Sequence, residues 1–323
     1  DPAGQMYFTE EYVSNLKQSL ETGERRSLRS RRNKRYVSGK GLYDRYVSDI
    51  CESTDTVKSL VDKLERQNIC VTEMVMRTLL ADCALKLLVS SGEITVDREI
   101  FPAYIDGSLT IGVWSALIDD IIQDKKAALS WANNNKNLMD TNYYYQKGED
   151  VLGLLYMSIR DAGSRKAAGS YYTPTKVVRT LISDVTGDMG SRISEGGKRL
   201  FDPCCGTGNF LIQLPDDIEL NNIYACDIDE LSVQLARFNL ALGRLSGRRH
   251  VNVDEAIWTI YEHIERRDFI SEYRNDSECG GDDKKLLADP GYDIIIGNPP
   301  WGYTFDRETR TLLRKAYRTA AGR

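Results

Sequence analysis

The sequence predicts an α/β fold: a parallel sheet of βαβ units preceded by an α-helical domain. Two observations carry this reading. Between about Tyr43 and Arg160, apolar residues recur three or four apart, the period of a helix. After Gly169 the chain changes to short apolar runs ending in polar or glycine residues, RLFD (199–202), NIYACD (222–227) and YDIIIGN (292–298), and the first two are followed by helix-like segments. Such alternation builds a parallel sheet whose ligands sit at the carboxyl ends of the strands.

Taken in order, residues 1–40 are polar and basic and read as a short helix and a linker. Within this arm ERRSLRSRRNKR (24–35) carries seven Lys or Arg between Arg25 and Arg35, a stretch that either neutralises phosphates or stands as a solvated arm. Residues 41–165 form the expected helical domain. Its segment VTEMVMRTLLADCALKLLVSSG (71–92) sets Val71, Met74, Thr78, Ala81, Leu85 and Leu88 along one stripe, apolar except for Thr78. SALIDDII and VLGLLYMSI repeat the pattern, and NNNKN (133–137) reads as a polar connection between helices. Residues 166–323 form the sheet-bearing domain.

With 323 residues, 41% hydrophobic and 28% charged, the chain can bury the core of two domains. It holds no run of about 18 apolar residues and no basic-then-apolar leader, so neither a membrane nor secretion is indicated and the cytoplasm is expected. Seven cysteines at 51, 70, 83, 204, 205, 226 and 279, with two histidines, give neither a disulfide framework nor paired CxxC knuckles. Reduced thiols and no metal are expected. A net charge of −5 argues against a surface made throughout to grip nucleic acid, while leaving room for a local basic face.

The chemistry gathers at the strand ends. In DPCCGTGNFL (202–211), Gly206 and Gly208 allow a tight turn in which backbone approaches a ligand, ahead of an expected helix. A dinucleotide fingerprint would place Gly or Ala where Leu211 stands, and Asp202 would repel phosphates but welcome an ammonium or a sulfonium. Asp227, 25 residues after Asp202, is spaced either to accept the two hydroxyls of a ribose or to cap a helix, a role open also to Asp229. In NPPW (298–301) two prolines stiffen a turn that holds the Asn298 side-chain oxygen and a proline carbonyl as acceptors beside Trp301. Such a turn suits a planar amine, and its bland reading is a strand-ending turn with Trp301 in the core.

These stretches resemble the amino-group DNA methyltransferases, in the adenine branch whose cofactor motif precedes the catalytic one. DPCCGTGNFL looks like that family's first motif, DIIIGNPPW like its Asn-Pro-Pro-aromatic motif, and GSYYTPTKVV (169–178) like its upstream Tyr-Thr-Pro motif, in the family's order. The resemblance implies a Rossmann-like class I fold that uses S-adenosylmethionine, preceded by a helical domain similar in pattern to that of large restriction–modification subunits. By position, Tyr172, Thr173 and Pro174 would close over the methionine end of the cofactor, and Asp202, Cys205, Gly206 and Gly208 would line it. Asp227 would take the ribose hydroxyls and Asp268 the cofactor's adenine amine. Arg267 stands where that last motif usually has glycine, and Asp254 is the rival. Asn298, Pro299, Pro300 and Trp301 would hold the target amine.

The implied reaction is direct methyl transfer to the N6 amine of adenine flipped out of double-stranded DNA, with Trp301 stacked on the base. Two acceptors would favour a tetrahedral nitrogen, and its proton would leave after transfer without a strong base. Such families also need about three strands after the catalytic motif, and a target-recognition region or a specificity or nuclease subunit. The 22 residues after Trp301 therefore lead us to expect a fragment that is inactive alone. The readings weighed beside this one are a non-catalytic assembly module and a methyltransferase acting on protein glutamine or RNA adenine.

Overall fold

The helical region is built around one helix that is buried on nearly every side. The structure is a computed structural model that describes residues 52–163, 173, 175–187, 197–248, 252–269, 291–299 and 307–316. The basic run at 24–35 lies outside these residues, as do Cys51, Tyr172, Pro174, Cys279, Pro300 and Trp301. Helices α1 (Glu52–Arg66), α2 (Glu73–Ser90), α3 (Ile100–Ile105), α4 (Trp114–Ile122), α5 (Lys125–Asn134), α6 (Lys136–Met139) and α7 (Val151–Gly163) come first, then α8 (Thr175–Gly187).

Thr72 caps α2 by accepting from the Val75 amide at 3.3 Å, and Glu73 puts a negative charge where the helix dipole favours one. The single stripe expected of this segment is replaced by burial around the helix, because α3, α4, α5 and α7 all pack on it. The burial extends to Arg77, Thr78 and Asp82, and each finds partners. Arg77 donates to Glu73 at 2.9 Å, to the Ile121 carbonyl at 3.1 Å and to Gln234 at 2.9 Å. Asp82 pairs with Lys86 at 2.7 Å, and burial nevertheless pushes its carboxyl up to about 7. The polar connection read at 133–137 shrinks to Asn135: Asn133 and Asn134 finish α5 and Lys136 begins α6.

The sheet consists of β1 (Leu200–Asp202), β2 (Ile223–Asp227), β3 (Ile264–Arg266) and β4 (Ile294–Ile295), all parallel in the order β3-β2-β1-β4. Leu200 lies opposite Ile223 on one side and Ile294 on the other. Helix α9 (Glu230–Leu245) returns the chain from β2, α10 (Val253–His263) leads straight into β3, and α11 (Arg307–Ala316) follows the Asn-Pro-Pro-Trp stretch. Each short apolar run is thus a strand, trimmed at its ends.

The helix expected directly after β1 is absent. A single turn from Gly208 to Ile212 passes into a 3-10 turn at Leu211–Gln213, and Pro215, which lacks an N–H, stops it there. Helices α4 and α7 pack against α9, so the helical region and the sheet share one buried cluster running from Val57 to Ile294. Among the described residues no helix is long and apolar enough to cross a membrane.

Candidate active site

From β1 the chain winds to β2 and β3 on one side, and β4 returns to the other side of β1. Such a reversal marks the carboxyl ends of β1 and β4 as the crevice where open parallel sheets are expected to bind ligands. Asp202 ends β1 on one wall, and Gly297 and Asn298 follow β4 on the other.

Asp202 is wholly buried: its Oδ1 accepts from the Cys204 amide at 3.1 Å, and its Oδ2 has no hydrogen-bond partner among the described residues. Burial pushes the carboxyl up to about 7, the Cys204 bond opposes that shift, and the charge of Asp227 adds to it. A buried acceptor left without a donor is costly, so the crevice is built to receive one.

The loop beyond Asp202 takes the tight course expected of it. Gly206 and Gly208 have φ of 54° and 88°, which side chains resist, and a Cβ on Gly208 would stand 3.1 Å from Cα of Ala236 in α9. Cys205 is buried, and its amide donates to the Cys226 carbonyl at 3.0 Å, tying the loop to β2. Burial raises the thiols of both Cys204 and Cys205, so they serve as small residues of a crowded loop and not as thiolates.

The two roles open to Asp227 separate in the structure. Its Oδ2 accepts from the Gly206 amide at 2.8 Å and its Oδ1 from the Asp229 amide at 2.9 Å, and burial raises its pKa. The cap of α9 belongs to Asp229, which accepts from the Ser232 amide at 3.0 Å and the Tyr156 hydroxyl at 2.8 Å. Asp227 is left facing the glycine turn.

Thr173 joins the two walls. Its carbonyl accepts from Asn209 Nδ2 at 2.6 Å and its hydroxyl from Asn298 Nδ2 at 3.0 Å. The second bond engages the Nδ2 end of the Asn298 amide. Pro299 is exposed beside it. Asp268 lies just past β3, next to Arg267, whose amide donates to the Asp227 carbonyl at 2.9 Å. Asp254 sits exposed in the first turn of α10, a helix packed on the segment that leads into the amino end of β2.

A model of the N-6 DNA Methylase family matches residues 147–321, more than half of the chain. The chain belongs to that family. It is 26% identical over 226 residues to the type II methyltransferase M.VspI of Vibrio sp. (strain 343), a match covering 70% of this chain and 47% of the relative. It is 24% identical over 221 residues to the adenine-specific methyltransferase PglX of Streptomyces coelicolor (strain ATCC BAA-471 / A3(2) / M145), covering 54% of this chain and 18% of the relative. The chain therefore spans under half the length of either. Among solved structures, a cryo-EM structure of a DrdV–DNA complex aligns with 86% of this chain and 32% of its own, at a TM-score of 0.44 and 14% identity.

Three residues that meet at these strand ends escaped the sequence reading. Gly297 lies against Asp202: a Cβ there would stand 2.3 Å from Asp202 Oδ1. Asp150 and Asn239, from α7's approach and from α9, both reach the glycine loop at Thr207. A glycine inside a helix is the one signal that pointed this way, because Gly153 in VLGLL has no local reason to be there.

Proposed function

We propose that this chain carries the cofactor and catalytic motifs of an S-adenosylmethionine-dependent methyltransferase acting on the N6 amine of adenine in DNA, as the modification component of a restriction–modification system. In this reading residues 41–165 are its helical part and 166–323 its catalytic part, it works in the cytoplasm, and a specificity or nuclease subunit or domain supplies target choice. The observation that carries the proposal is the contact of Asp202 with Gly297, which places a buried, donor-seeking carboxylate against the residue preceding Asn298. A cation-binding wall and an amine-binding wall thereby share one crevice.

When bound, S-adenosylmethionine supplies an electrophilic methyl group on a sulfonium. Asp202 Oδ2 would accept from its ammonium, the loop at Cys205, Gly206 and Gly208 would pass along its methionine end, and Tyr172, Thr173 and Pro174 would cover it. Asp227, already aligned by two backbone amides, would accept the ribose hydroxyls, and Asp268 the adenine amine. Asn298 Oδ1 and the Pro299 carbonyl would accept the two N–H bonds of the target amine, drawing its lone pair out of conjugation and toward the methyl. Pro300 would stiffen that turn, and Trp301 would stack on the flipped base. The amine becomes acidic as it is methylated, so its proton passes to water without a strong base.

The test is calorimetric binding of S-adenosylmethionine to the chain and to Asp227→Ala, with methyl transfer to adenine-containing DNA by the intact protein and its Asn298→Ala variant. Affinity lost in the first variant and transfer lost in the second are expected. A folded protein that neither binds the cofactor nor methylates DNA would overturn the reading.

A further inference from the structure

One buried carboxylate outside the crevice reaches its core. Asp150 directly precedes α7, in the helical region, and is 2% exposed. Its Oδ1 accepts from the Gly153 amide at 2.7 Å and from Asn239 Nδ2 at 2.7 Å, and its Oδ2 accepts from the Thr207 hydroxyl at 2.5 Å. Asn239 also donates to the Thr207 carbonyl at 2.9 Å. Thr207 is thus held at both its side chain and its backbone, between the two glycines whose positive φ shapes the loop.

The packing leaves no freedom here. A Cβ on Gly153 would stand 2.0 Å from Asp150 Oδ2 and 2.3 Å from Thr207 Oγ1, so only glycine lets α7 approach the loop this closely. Burial pushes the Asp150 carboxyl up to about 6, against the three hydrogen bonds that favour its charge. An apolar side chain of similar size would fill this space with no charge to desolvate. What the carboxylate adds is direction, because it tells Thr207 where to sit.

We propose that Asp150 is a positioning residue for the cofactor site: by holding Thr207 it fixes the adjoining Gly206 amide, and that amide orients the carboxylate of Asp227. The links are Asp150 to Thr207, Thr207 to its neighbour Gly206, and Gly206 N–H to Asp227 Oδ2 at 2.8 Å. The helical region is thereby coupled to cofactor binding without touching the cofactor. This inference rests on the methyltransferase reading above, but the first link can be read in the ligand-free protein.

The experiment compares the full chain with Asp150→Asn, Thr207→Val and Thr207→Ser, reading amide hydrogen exchange at 204–210, S-adenosylmethionine affinity and, in the intact protein, kcat and KM. Asp150→Asn and Thr207→Val should each speed exchange at 204–210 and weaken cofactor affinity by roughly tenfold, the scale of one lost charge-assisted hydrogen bond, with exchange in α2 unchanged. The loss should fall on KM for the cofactor more than on kcat. Thr207→Ser, which keeps the hydroxyl, should behave as the parent chain, and the double variant should be no worse than either single one. Exchange and affinity unchanged in a folded Asp150→Asn, or exchange raised equally throughout the molecule, would overturn the proposal. If Asp150→Asn does not fold, Thr207→Val decides by the same criteria. A parent chain that binds no cofactor while the variants still loosen 204–210 would sink the methyltransferase reading and leave the hold on the loop standing.

Discussion

Replacing Gly297 by alanine tests whether the two walls of the crevice meet as described. The added Cβ would lie 2.3 Å from Asp202 Oδ1 and 3.0 Å from its Cγ, where ordinary contact needs about 3.4 Å, so about 1 Å of separation has to be made. Asp202 cannot swing into solvent, being wholly buried and held by the Cys204 amide. The strain therefore moves backbone at the end of β4 and carries Asn298 with it. Overpacking of this kind costs about 1–3 kcal/mol, a fall in Tm of roughly 2–10 °C for a domain of this size. A shift of about 1 Å at Asn298, the proposed amine-binding residue, should slow methyl transfer roughly a hundredfold. Thermal unfolding and methylation of adenine-containing DNA by the intact protein read the two effects, with Gly243→Ala as the contrast. Gly243 lies within α9, where a Cβ meets only Ile212 Cγ2 at 3.9 Å, so the same substitution should stabilise there by about 0.5–1 kcal/mol. Gly297→Ala with the parent's Tm and the parent's rate would refute the convergence of Asp202 with Asn298.

Asp229→Ala removes the cap of α9 and the partner of Tyr156, so denaturant unfolding should show a loss of about 1–3 kcal/mol while S-adenosylmethionine affinity stays within a few-fold of the parent's. Leu80→Ala, at the fully buried centre of α2, should cost about 2–5 kcal/mol in the same assay, whereas a helix with a solvent-facing side at Leu80 would lose under 1 kcal/mol. The raised carboxyls of Asp82 and Asp202, both at about 7, bind protons in the folded chain that the unfolded chain has already released near 3.8. Their contribution to stability is therefore fully present below about pH 4 and is lost as pH rises through 7. Unfolding free energy in urea should increase for the ligand-free chain from pH 8 to pH 6, and Asp202→Asn should flatten that gain. Parallel profiles for the two proteins would remove the buried charge from the account.

Strands β1, β2 and β4 were legible because each is a short apolar run stopped by a polar or glycine residue, whereas β3, with Ile264 as its one apolar residue, was not named. The helical region was legible as helical but not in its arrangement. The residues Met74, Ala81, Leu85 and Leu88 do share one side of α2, yet Arg77 and Asp82 at the two edges of that stripe are buried as well, because Gln234 of α9 and Lys86 satisfy them. A periodicity argument scores such residues as solvent-facing, since the partners that allow their burial lie elsewhere in the chain or depend on the packing of α2. The helix expected after β1 failed for a local reason that was in view: Pro215 stands too near for one to extend.

The crevice divides along the same line. Asp202, Gly206, Gly208 and Asp227 could be named from sequence because a turn and a strand end impose their demands on neighbours. Gly297 and Asp150 answer to residues far away in the chain, Asp202 in one case and Thr207 in the other, and nothing beside them records it. Sheet register is what converts the local signals into one site. With Leu200 opposite both Ile223 and Ile294, the side chains of Asp202 and Asp227 emerge on the same face, and Gly297 comes one residue past the position level with Asp202. A slip of one residue in β1 would turn Asp202 to the opposite face and abolish the reason for glycine at 297. Glycine at 297 and aspartate at 202 are therefore a matched pair, and the pairing of β1 with β4 is the physical condition for the proposed cofactor and amine sites to be adjacent.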